Sequence, residues 1–464
     1  MGAGASSVPA IKDALKDVSD AQISGIISKL SAETRTKMLL ALEATDDIAS
    51  ATLVPLEKLP ESFSDIEGTR FAEVLRRGHM AVIKASYFKE CLEKGEPFQD
   101  RSNIPAEYIY TGEEVLDYWK KYGNMFLMIL SYSWLSKNHP DPDLYHLKRL
   151  VPLLDKMRVL YSGEDTSMFN IILLPGPKIP DFGIIVDFCS LWQNLSENEG
   201  EDSRTEEQKM EFDAGLKTIN TPYVHQETTA IKLIGTPEDE LRTYDLRGWT
   251  LFESRVIDGK GTGTIPKAMG WRGLSAECGE VDFGSMNVLV VHEKIFPPHH
   301  DPDFEACTEY ISELLGFCAQ RSVPCKPDRF RGELEERRCS AEIKGQRLFT
   351  SGKDQPFVQD KYEATYKMMT QTTTWNCSNL RVNNKYCEDL AGVLKDWSLK
   401  MLIVAENEIG AEGAAALAKA LEVNTTITCI NMGFNMIGAE GALASAKALE
   451  VSSGGSITST WDST

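Results

Sequence analysis

The chain lacks several features that would assign it to a common class of protein. Basic residues are scarce, since 49 Lys and Arg stand against 69 Asp and Glu and the formal charge is −20. Nucleic-acid phosphates are bound by clustered Lys and Arg, so nucleic acid is not an expected partner. Long apolar runs are also missing. The longest, Met125 to Leu130, is far shorter than the roughly 18 residues of a membrane span.

Metal-binding and disulfide signatures are missing as well. The ten cysteines are scattered between Cys91 and Cys429, and none has the CxxC or Cys/His spacing of a zinc site. Reduced thiols are typical of the cytoplasm, which is the predicted location. Two His/Asp clusters, at residues 139–143 and 299–303, resemble ligand sets, but their prolines shape turns and no distant ligand completes them. The sequence therefore predicts no metal site.

The first six residues fit a short modification pattern. Met1-Gly-Ala-Gly-Ala-Ser6 matches the M-G-x-x-x-[ST] signature of N-myristoylation, with Gly2 as the acceptor. A flexible tail of small residues explains the same letters equally well. One myristoyl chain holds a membrane only weakly, and no neighbouring Cys or basic cluster supplies a second anchor. We expect a cytoplasmic protein with at most a weak membrane contact.

Hydrophobic periodicity divides the chain into four parts. Residues 1–110 show the three- and four-residue spacing of helices, including one predicted helix from Phe71 to Leu92. Residues 111–300 alternate strands with helices, which predicts an α/β fold built on a parallel, doubly wound sheet. Residues 301–375 return to helical spacing and form a connector. Residues 376–464 contain a repeat.

The repeat has a period of 28 residues, since Asn407 recurs as Asn435. Its pattern is Leu399-x-x-Leu402-x-Val404-x-x-Asn407, followed by Ile427-x-x-Ile430-x-Met432-x-x-Asn435. This fits the leucine-rich repeat rule, in which apolar positions form a short buried strand and the Asn bonds backbone groups at the turn. Two full repeats are fewer than the roughly three needed for independent stability. The array must therefore pack on its neighbour, pair with another copy or be a remnant.

Three separated segments place polar residues where an α/β sheet binds ligands. Two are apolar runs that end in polar residues, Ile129–Trp134 and Ile184–Gln193, and the third, Leu246–Glu253, is a turn leading into a helix. In an α/β sheet, the carboxyl ends of strands and the starts of helices meet at one edge. We therefore expect the three segments to converge on a single pocket.

Trp249 and Glu253 are the most informative pair in these segments. Residues four apart share a helix face, and an acid beside an indole can hold a raised pKa or stabilise a nearby cation. The alternative is a core Trp with a solvated Glu that the helix dipole favours. Asp187 is predicted to lie inside an apolar strand, where Arg247 would be a structural partner. The segment 259–263 is rich in glycine without a phosphate-binding signature and is interpreted as a mobile loop.

The three segments resemble the HET (heterokaryon incompatibility) domain over about residues 120–295. The family carries a SYCWG-like strand end, a WIDSLCI.Q-like strand and a RGWT.QE-like helix start. The similar segments here are Ser131–Trp134, Val186–Gln193 and Arg247–Glu253. HET domains are similar to TIR domains, and that relation implies a flavodoxin-like sheet.

The same relation implies an activity. In enzymatic TIR domains, a Glu four residues after a Trp assists cleavage of the nicotinamide–ribose bond of NAD. The matching residues are Trp249 and Glu253, which makes Glu253 the expected catalytic acid with Asp187 in support. Trp249, Trp134 and Arg247 are the expected substrate contacts. NAD is thus expected as a substrate, with no bound cofactor.

The C-terminal repeats separately resemble the ribonuclease-inhibitor class of leucine-rich repeats, which mostly bind proteins. Together the two resemblances imply an intracellular signalling protein that binds a protein partner through its repeats and hydrolyses NAD on self-association. The alternative is a non-enzymatic interaction scaffold that assembles through its α/β part.

Overall fold

The computed structural model describes residues 54–162, 179–196, 198, 201–269, 272–275, 279–292, 316–318, 321–349, 351, 353–452 and 458–460. The acceptor Gly2, the helical pattern before residue 54 and the His/Asp cluster at 299–303 lie outside them. Residues 60–464 form one compact unit, and the short 3₁₀ turn Leu56–Lys58 is described before it. Among the described residues, no helix combines the length and the apolarity that crossing a membrane requires.

As far as residue 275, each described strand is separated from the next by one or more helices. The strands are β1 (Ile83–Lys84), β2 (Leu127–Tyr132), β3 (Gly183–Ile185), β4 (Thr229–Leu233), β5 (Arg272–Ser275), β6 (Gly279–Asp282), β7 (Val288–Val291), β8 (Thr374–Asn376), β9 (Met401–Ile403), β10 (Cys429–Asn431) and β11 (Thr458–Thr460). The α-helices are α1 (Arg70–Arg76), α2 (Ala85–Lys94), α3 (Gly112–Tyr122), α4 (Leu147–Ser162), α5 (Asp187–Ser190), α6 (Glu206–Lys217), α7 (Asn220–Val224), α8 (Gly248–Asp258), α9 (Ile265–Ala268), α10 (Pro327–Ile343), α11 (Asp354–Gln371), α12 (Asn384–Leu394), α13 (Ala411–Val423) and α14 (Gly438–Ser452).

A five-stranded mixed sheet forms the centre of the α/β part. Its order is β1-β3-β2-β4-β7, in which β3, β2, β4 and β7 are parallel and the two-residue β1 is antiparallel at the edge. All side chains of β2 and β4 are buried, as expected for central strands covered on both faces. The predicted α/β class is confirmed, in the form of a mixed sheet. Because β1 comes from residues 83–84, the sheet includes chain that precedes residue 111.

The predicted helix from Phe71 to Leu92 is wrong. The helix α1 ends at Arg76, and Gly78 then takes a left-handed conformation, with φ at +71°. The following residues form β1 and only then α2. A glycine adopts positive φ without the Cβ clash that other residues meet, so the chain reverses there. The helical spacing of apolar residues on either side came from two short helices, of which α1 packs on α3 and α2 packs on α4.

Side-chain alternation along the strands divides the core into two layers. Met128, Leu130 and Tyr132 of β2 join the cluster that includes α2 and α4. Ser131, on the opposite face, contacts α8. Lys232 of β4 points the same way, because its Nζ lies 2.6 Å from Asp258 Oδ1 at the end of α8. The helix α8 therefore covers the second face of the sheet.

The C-terminal region is a four-stranded parallel sheet, in the order β11-β10-β9-β8, with α12, α13 and α14 packed side by side. The inward residues Trp375, Leu402 and Ile430 occupy equivalent positions and are buried. One more strand and helix, β8 and α12, precede the two repeats and extend the same sheet. Asn407 Oδ1 accepts from the backbone N–H of Leu380 and Val382, both at 2.9 Å, which ties neighbouring repeats together.

The connector helices α10 and α11 pack on the α/β part. Arg255 of α8 makes a two-point ion pair with Glu333 of α10, with the Nε–Oε2 distance at 2.9 Å. Gly248 at the start of α8 lies directly under the ring of Phe349, where an added Cβ would meet the ring at 2.0 Å. The helix α11 then leads into β8. The connector therefore joins the repeats to α8 through packed contacts.

Candidate functional site

The three separated segments meet around the carboxyl end of β2. Ser131 Oγ donates a hydrogen bond of 2.5 Å to Oε2 of Glu253 on α8. Tyr132 OH donates one of 2.5 Å to Oδ1 of Asp187, which follows β3. Successive strand residues point to opposite faces, so β2 holds the two acids from its two sides. The structure thus brings the segments together around one strand end, with the acids on either side of it.

Glu253 is enclosed by hydroxyl groups. Ser131 Oγ lies 2.5 Å from Tyr244 OH as well as from Glu253, and Tyr223 OH donates to the backbone carbonyl of Leu130 at 3.0 Å. Burial raises the pKa of Glu253 to about 8; hydrogen bonds from Ser131 and Tyr223 oppose the rise, and the charge of Asp187 adds to it. At neutral pH the Glu253 carboxyl therefore carries a proton.

Asp187 is held by three donors. They are Tyr132 OH, Trp134 Nε1 at 3.0 Å from Oδ2, and the backbone N–H of Phe188 at 2.7 Å from Oδ1. Burial raises the pKa of Asp187, and all three hydrogen bonds act against that rise. The interpretation of Asp187 as a residue inside a strand is wrong, because β3 ends at Ile185 and Asp187 begins the single-turn helix α5. Of the expected site residues, Trp134 and Asp187 are in direct contact.

Trp249 has partners different from those of Glu253, although both lie on α8. Its Nε1 donates to Asp354 Oδ2 of α11 at 3.1 Å, and its ring centroid lies 5.9 Å from that of Phe357. The indole is therefore packed against the connector. A stacking role of Trp249 on a bound pyridine ring has no support in this arrangement.

Arg247 lies away from both acids in its contacts. Its Nη2 is 3.3 Å from Oε2 of Glu240, and its Nε donates to the backbone carbonyl of Arg242 at 3.0 Å. Burial and the neighbouring Arg242 charge together lower the pKa of Arg247 to about 10. Arg247 is thus a partner of Glu240 rather than of Asp187, which corrects the ion pair considered for Asp187.

The glycine-rich segment 259–263 is buried, which corrects its interpretation as a mobile loop. Lys260 is 1% exposed, and its Nζ donates to the carbonyl oxygen of Thr228 at 2.7 Å. Gly263 N donates to Gly284 O at 2.9 Å, and Thr262 N donates to Asn376 O of β8 at 3.3 Å. Burial lowers the pKa of Lys260 well below its usual range. The glycines permit close backbone contacts between α8, the sheet and the first strand of the repeats.

Three hydroxyl residues at the site were not predicted. Tyr132 stands inside the first segment, and period-two alternation along β2 would have placed it opposite Ser131. Tyr223 belongs to the short helix α7, which precedes β4, and Tyr244 belongs to a 3₁₀ turn that follows β4. No spacing in the sequence relates them to Glu253, because loop geometry alone brings them there.

Two clefts are described in the structure, of about 300 and 340 Å³. Glu253 and Asp187 line neither of them. The first lies between the glycine-rich segment and β8, and the second lies between α10 and α12. Within the described ranges, no three His, Cys, Asp or Glu residues are grouped as metal ligands would be.

Two segments of the chain, 398–418 and 423–444, match the Leucine Rich repeat family. They cover the strands β9 and β10 and most of α13. No HET or TIR domain is detected in the chain. No curated protein matches it. The repeats indicate a role in protein interaction, which is the role that such repeats commonly have.

Proposed function

We propose that this is a two-part signalling protein, in which the repeats bind a protein partner and the α/β part cleaves the nicotinamide–ribose bond of NAD. One observation carries the enzymatic half of the proposal. Glu253, with its pKa raised to about 8, is positioned by Ser131 at the carboxyl end of β2, and Asp187 is held on the other side of the same strand. Perturbed acids at such an edge are typical of catalytic sites.

The strand order supports the flavodoxin-like, TIR-related interpretation of the α/β part. Numbered by their appearance in the chain, the four parallel strands β3-β2-β4-β7 have the order 2-1-3-4. Flavodoxin-like sheets have the order 2-1-3-4-5, and their ligands bind beside the first strand at its carboxyl end. The strand in that position is β2, which carries Ser131 and Tyr132.

The chemistry requires a negative charge beside the ribose. Breakage of the C1′–N bond leaves its electron pair on nicotinamide, which departs as a neutral base, and the ribose becomes oxocarbenium-like. The Glu253 carboxylate would stabilise that cation, after which water adds to C1′ and releases a proton. The cationic nicotinamide ring of the bound substrate favours ionisation of Glu253. Asp187 supports this site electrostatically through its charge.

The test is nicotinamide release from NAD by the purified full-length chain. We expect Glu253→Gln to lower kcat/KM by at least about 100-fold, in line with the loss of a catalytic proton or charge partner. The exposed Glu238→Gln is the matched control and should leave kcat/KM unchanged. Because the carboxylate is the active form, kcat/KM of the wild type should rise with pH up to about 8. A fall of kcat/KM above pH 8 would instead mean that the protonated form of Glu253 is active. Glu253 would then be a general acid, and NAD would be the wrong substrate.

A non-enzymatic scaffold is the second candidate, and two observations favour it. Neither described cleft is lined by Glu253, and Trp249 is packed against Asp354 and Phe357. Binding of NAD, measured by calorimetry apart from turnover, separates the two candidates. Absence of both binding and turnover in the wild type, including after forced oligomerisation, would leave the scaffold.

Self-association and N-terminal acylation complete the proposal. Assembly of several copies would switch on the α/β part, and a myristoyl group on Gly2 would add a weak membrane contact. Analytical ultracentrifugation, together with mass spectrometry of the protein produced in eukaryotic cells, tests both. An unmodified Gly2 and a monomer at all concentrations would contradict them.

A further inference from the structure

The loops that follow β9 and β10 present paired side chains on one rim of the repeats. Asn407 and Asn435 point inward, and the residues on either side of each Asn point outward. The rim patch is defined here as these four flanking residues, Glu406, Glu408, Phe434 and Met436. Phe434 is 62% exposed and Met436 is 72% exposed, and both glutamates are exposed.

The rim geometry is fixed by the asparagines. Asn435 Oδ1 accepts from the backbone N–H of Ile409 at 3.0 Å, and its Nδ2 donates to the carbonyl of Val404 at 2.8 Å. Glu406 N donates to Gly433 O at 2.9 Å, which places the two loops side by side. Glu406 and Glu408 remain exposed although a following repeat lies beside them. Exposure is therefore a property of this rim position in each repeat.

Phe434 is unfavourable for folding in two independent ways. Its φ is +53°, in the left-handed region where a bulky side chain meets the backbone. Its ring is also mostly in water, so it gains little of the free energy that burial of an aromatic ring supplies. Glu406, at the equivalent position of the preceding repeat, also has a positive φ of +57°, so this conformation belongs to the repeat loop and Phe434 occupies it without relieving it. A glycine would relieve the strain and the exposure together.

The charge around these apolar side chains is negative. Glu406 and Glu408 are the charged members of the rim patch, and from Lys400 to Lys447 five Glu stand against three Lys. Glu406 and Glu408 take part in no ion pair with any residue that the structure describes. A partner segment with Lys or Arg around an apolar side chain would match this surface. The same patch of a second copy would not, because its glutamates would face glutamates of like charge.

We infer that the rim patch binds a basic segment of a partner protein, with an apolar side chain of that segment seated against Phe434 and Met436. The inference rests on the protein-binding role proposed for the repeats and names the chemistry of the partner. Aromatic residues are frequent binding hot spots of protein interfaces. The glutamates supply charge complementarity, which mainly raises the association rate and selects against acidic partners.

The test uses the full-length protein and short fluorescein-labelled peptides, read by fluorescence anisotropy. The first peptide has a central Phe between lysines, the second replaces the lysines by glutamates, and the third replaces the Phe by Ser. We expect only the first to bind, with an affinity that weakens as salt rises. Phe434→Gly should weaken binding of the first peptide by about tenfold or more, as the loss of a binding hot spot does. Its melting temperature should equal or exceed that of the wild type.

Two controls keep the result interpretable. Leu443→Ser changes another exposed apolar residue, 57% exposed on α14, and should not alter binding. Glu406→Gln combined with Glu408→Gln should weaken binding and flatten its salt dependence. Equal binding of the acidic peptide, or no loss in Phe434→Gly, would overturn the inference while leaving the repeats as a protein-binding surface. No peptide binding even near millimolar concentration would overturn it too, and NAD turnover is measured separately from all of these.

Discussion

In the repeats, the polar side chains that hold the backbone recur at the period of the sequence, whereas in the α/β part they come from loops that have no period. Asn407 bonds backbone groups of its own loop and of the preceding repeat. Glu253 is instead hydrogen-bonded by Ser131 and Tyr223, and Tyr244 contacts Ser131; the three residues come from separate parts of the chain. A periodic arrangement can be inferred from one pattern, while a site formed by loops requires the whole fold.

The largest loss of stability should come from a substitution in the repeats. Asn407→Ala removes five hydrogen bonds, two accepted and three donated, and leaves buried backbone groups without partners. We expect a loss of about 3–4 kcal/mol in the free energy of unfolding, measured with urea. The exposed Asn138→Ala is the control and should change it by less than about 0.5 kcal/mol. A small loss in Asn407→Ala would mean that the Asn contacts do not hold the repeats.

The next effect is a pH-dependent change in stability caused by substitution of Glu253 in the α/β part. The pKa of Glu253 in the folded protein is about 8, above the ordinary value of 4.5. Ionisation therefore destabilises the folded state between pH 4.5 and 8, and Glu253→Gln removes that cost. The variant should gain about 1.4 kcal/mol over the wild type for each pH unit across this window, with no further gain above pH 8. A difference that does not change with pH would contradict the raised pKa.

A matched pair of glycines tests the packing of α8 against the connector. Gly248→Ala places a Cβ 2.0 Å from the ring of Phe349, so we expect a loss of about 2 kcal/mol. Gly332→Ala lies in the exposed middle of α10 with nothing within 4 Å, and should add about 0.5–1 kcal/mol through helix propensity. Thermal unfolding of both variants gives the comparison. Equal effects would mean that the connector is not packed on α8.

The smallest effect concerns the indole of Trp249. Trp249→Phe keeps most of the ring packing and loses the hydrogen bond to Asp354, so a loss of about 1 kcal/mol is expected. Asp354→Asn and the double variant complete a cycle that isolates the pair. In parallel, the KM for NAD should not change in Trp249→Phe. A large rise in KM would return Trp249 to the substrate contacts.

The sequence predicted the repeats in detail because each position serves the same purpose in every copy. It also predicted that segments ending near Ser131, Asp187 and Glu253 meet, since the carboxyl ends of parallel strands share an edge. It could not separate one long helix from two short ones around Gly78, because apolar residues recur at helical spacing on both sides of that glycine. The partner of Trp249 was not predictable either, since Asp354 lies 105 positions further along the chain.

The contacts of α11 have a mechanical consequence. Near its start, Asp354 bonds Trp249 at the beginning of α8, and near its end Met369 lies against Gly259, just after α8. Its 18 residues span about 27 Å and continue into the first strand of the repeats. Helices α8 and α11 are therefore held together by contacts at both of their ends. A force that a bound partner exerts on the repeats would therefore be transmitted to α8, the helix that carries Glu253. A fragment that ends at residue 300 would lack α11 and these contacts.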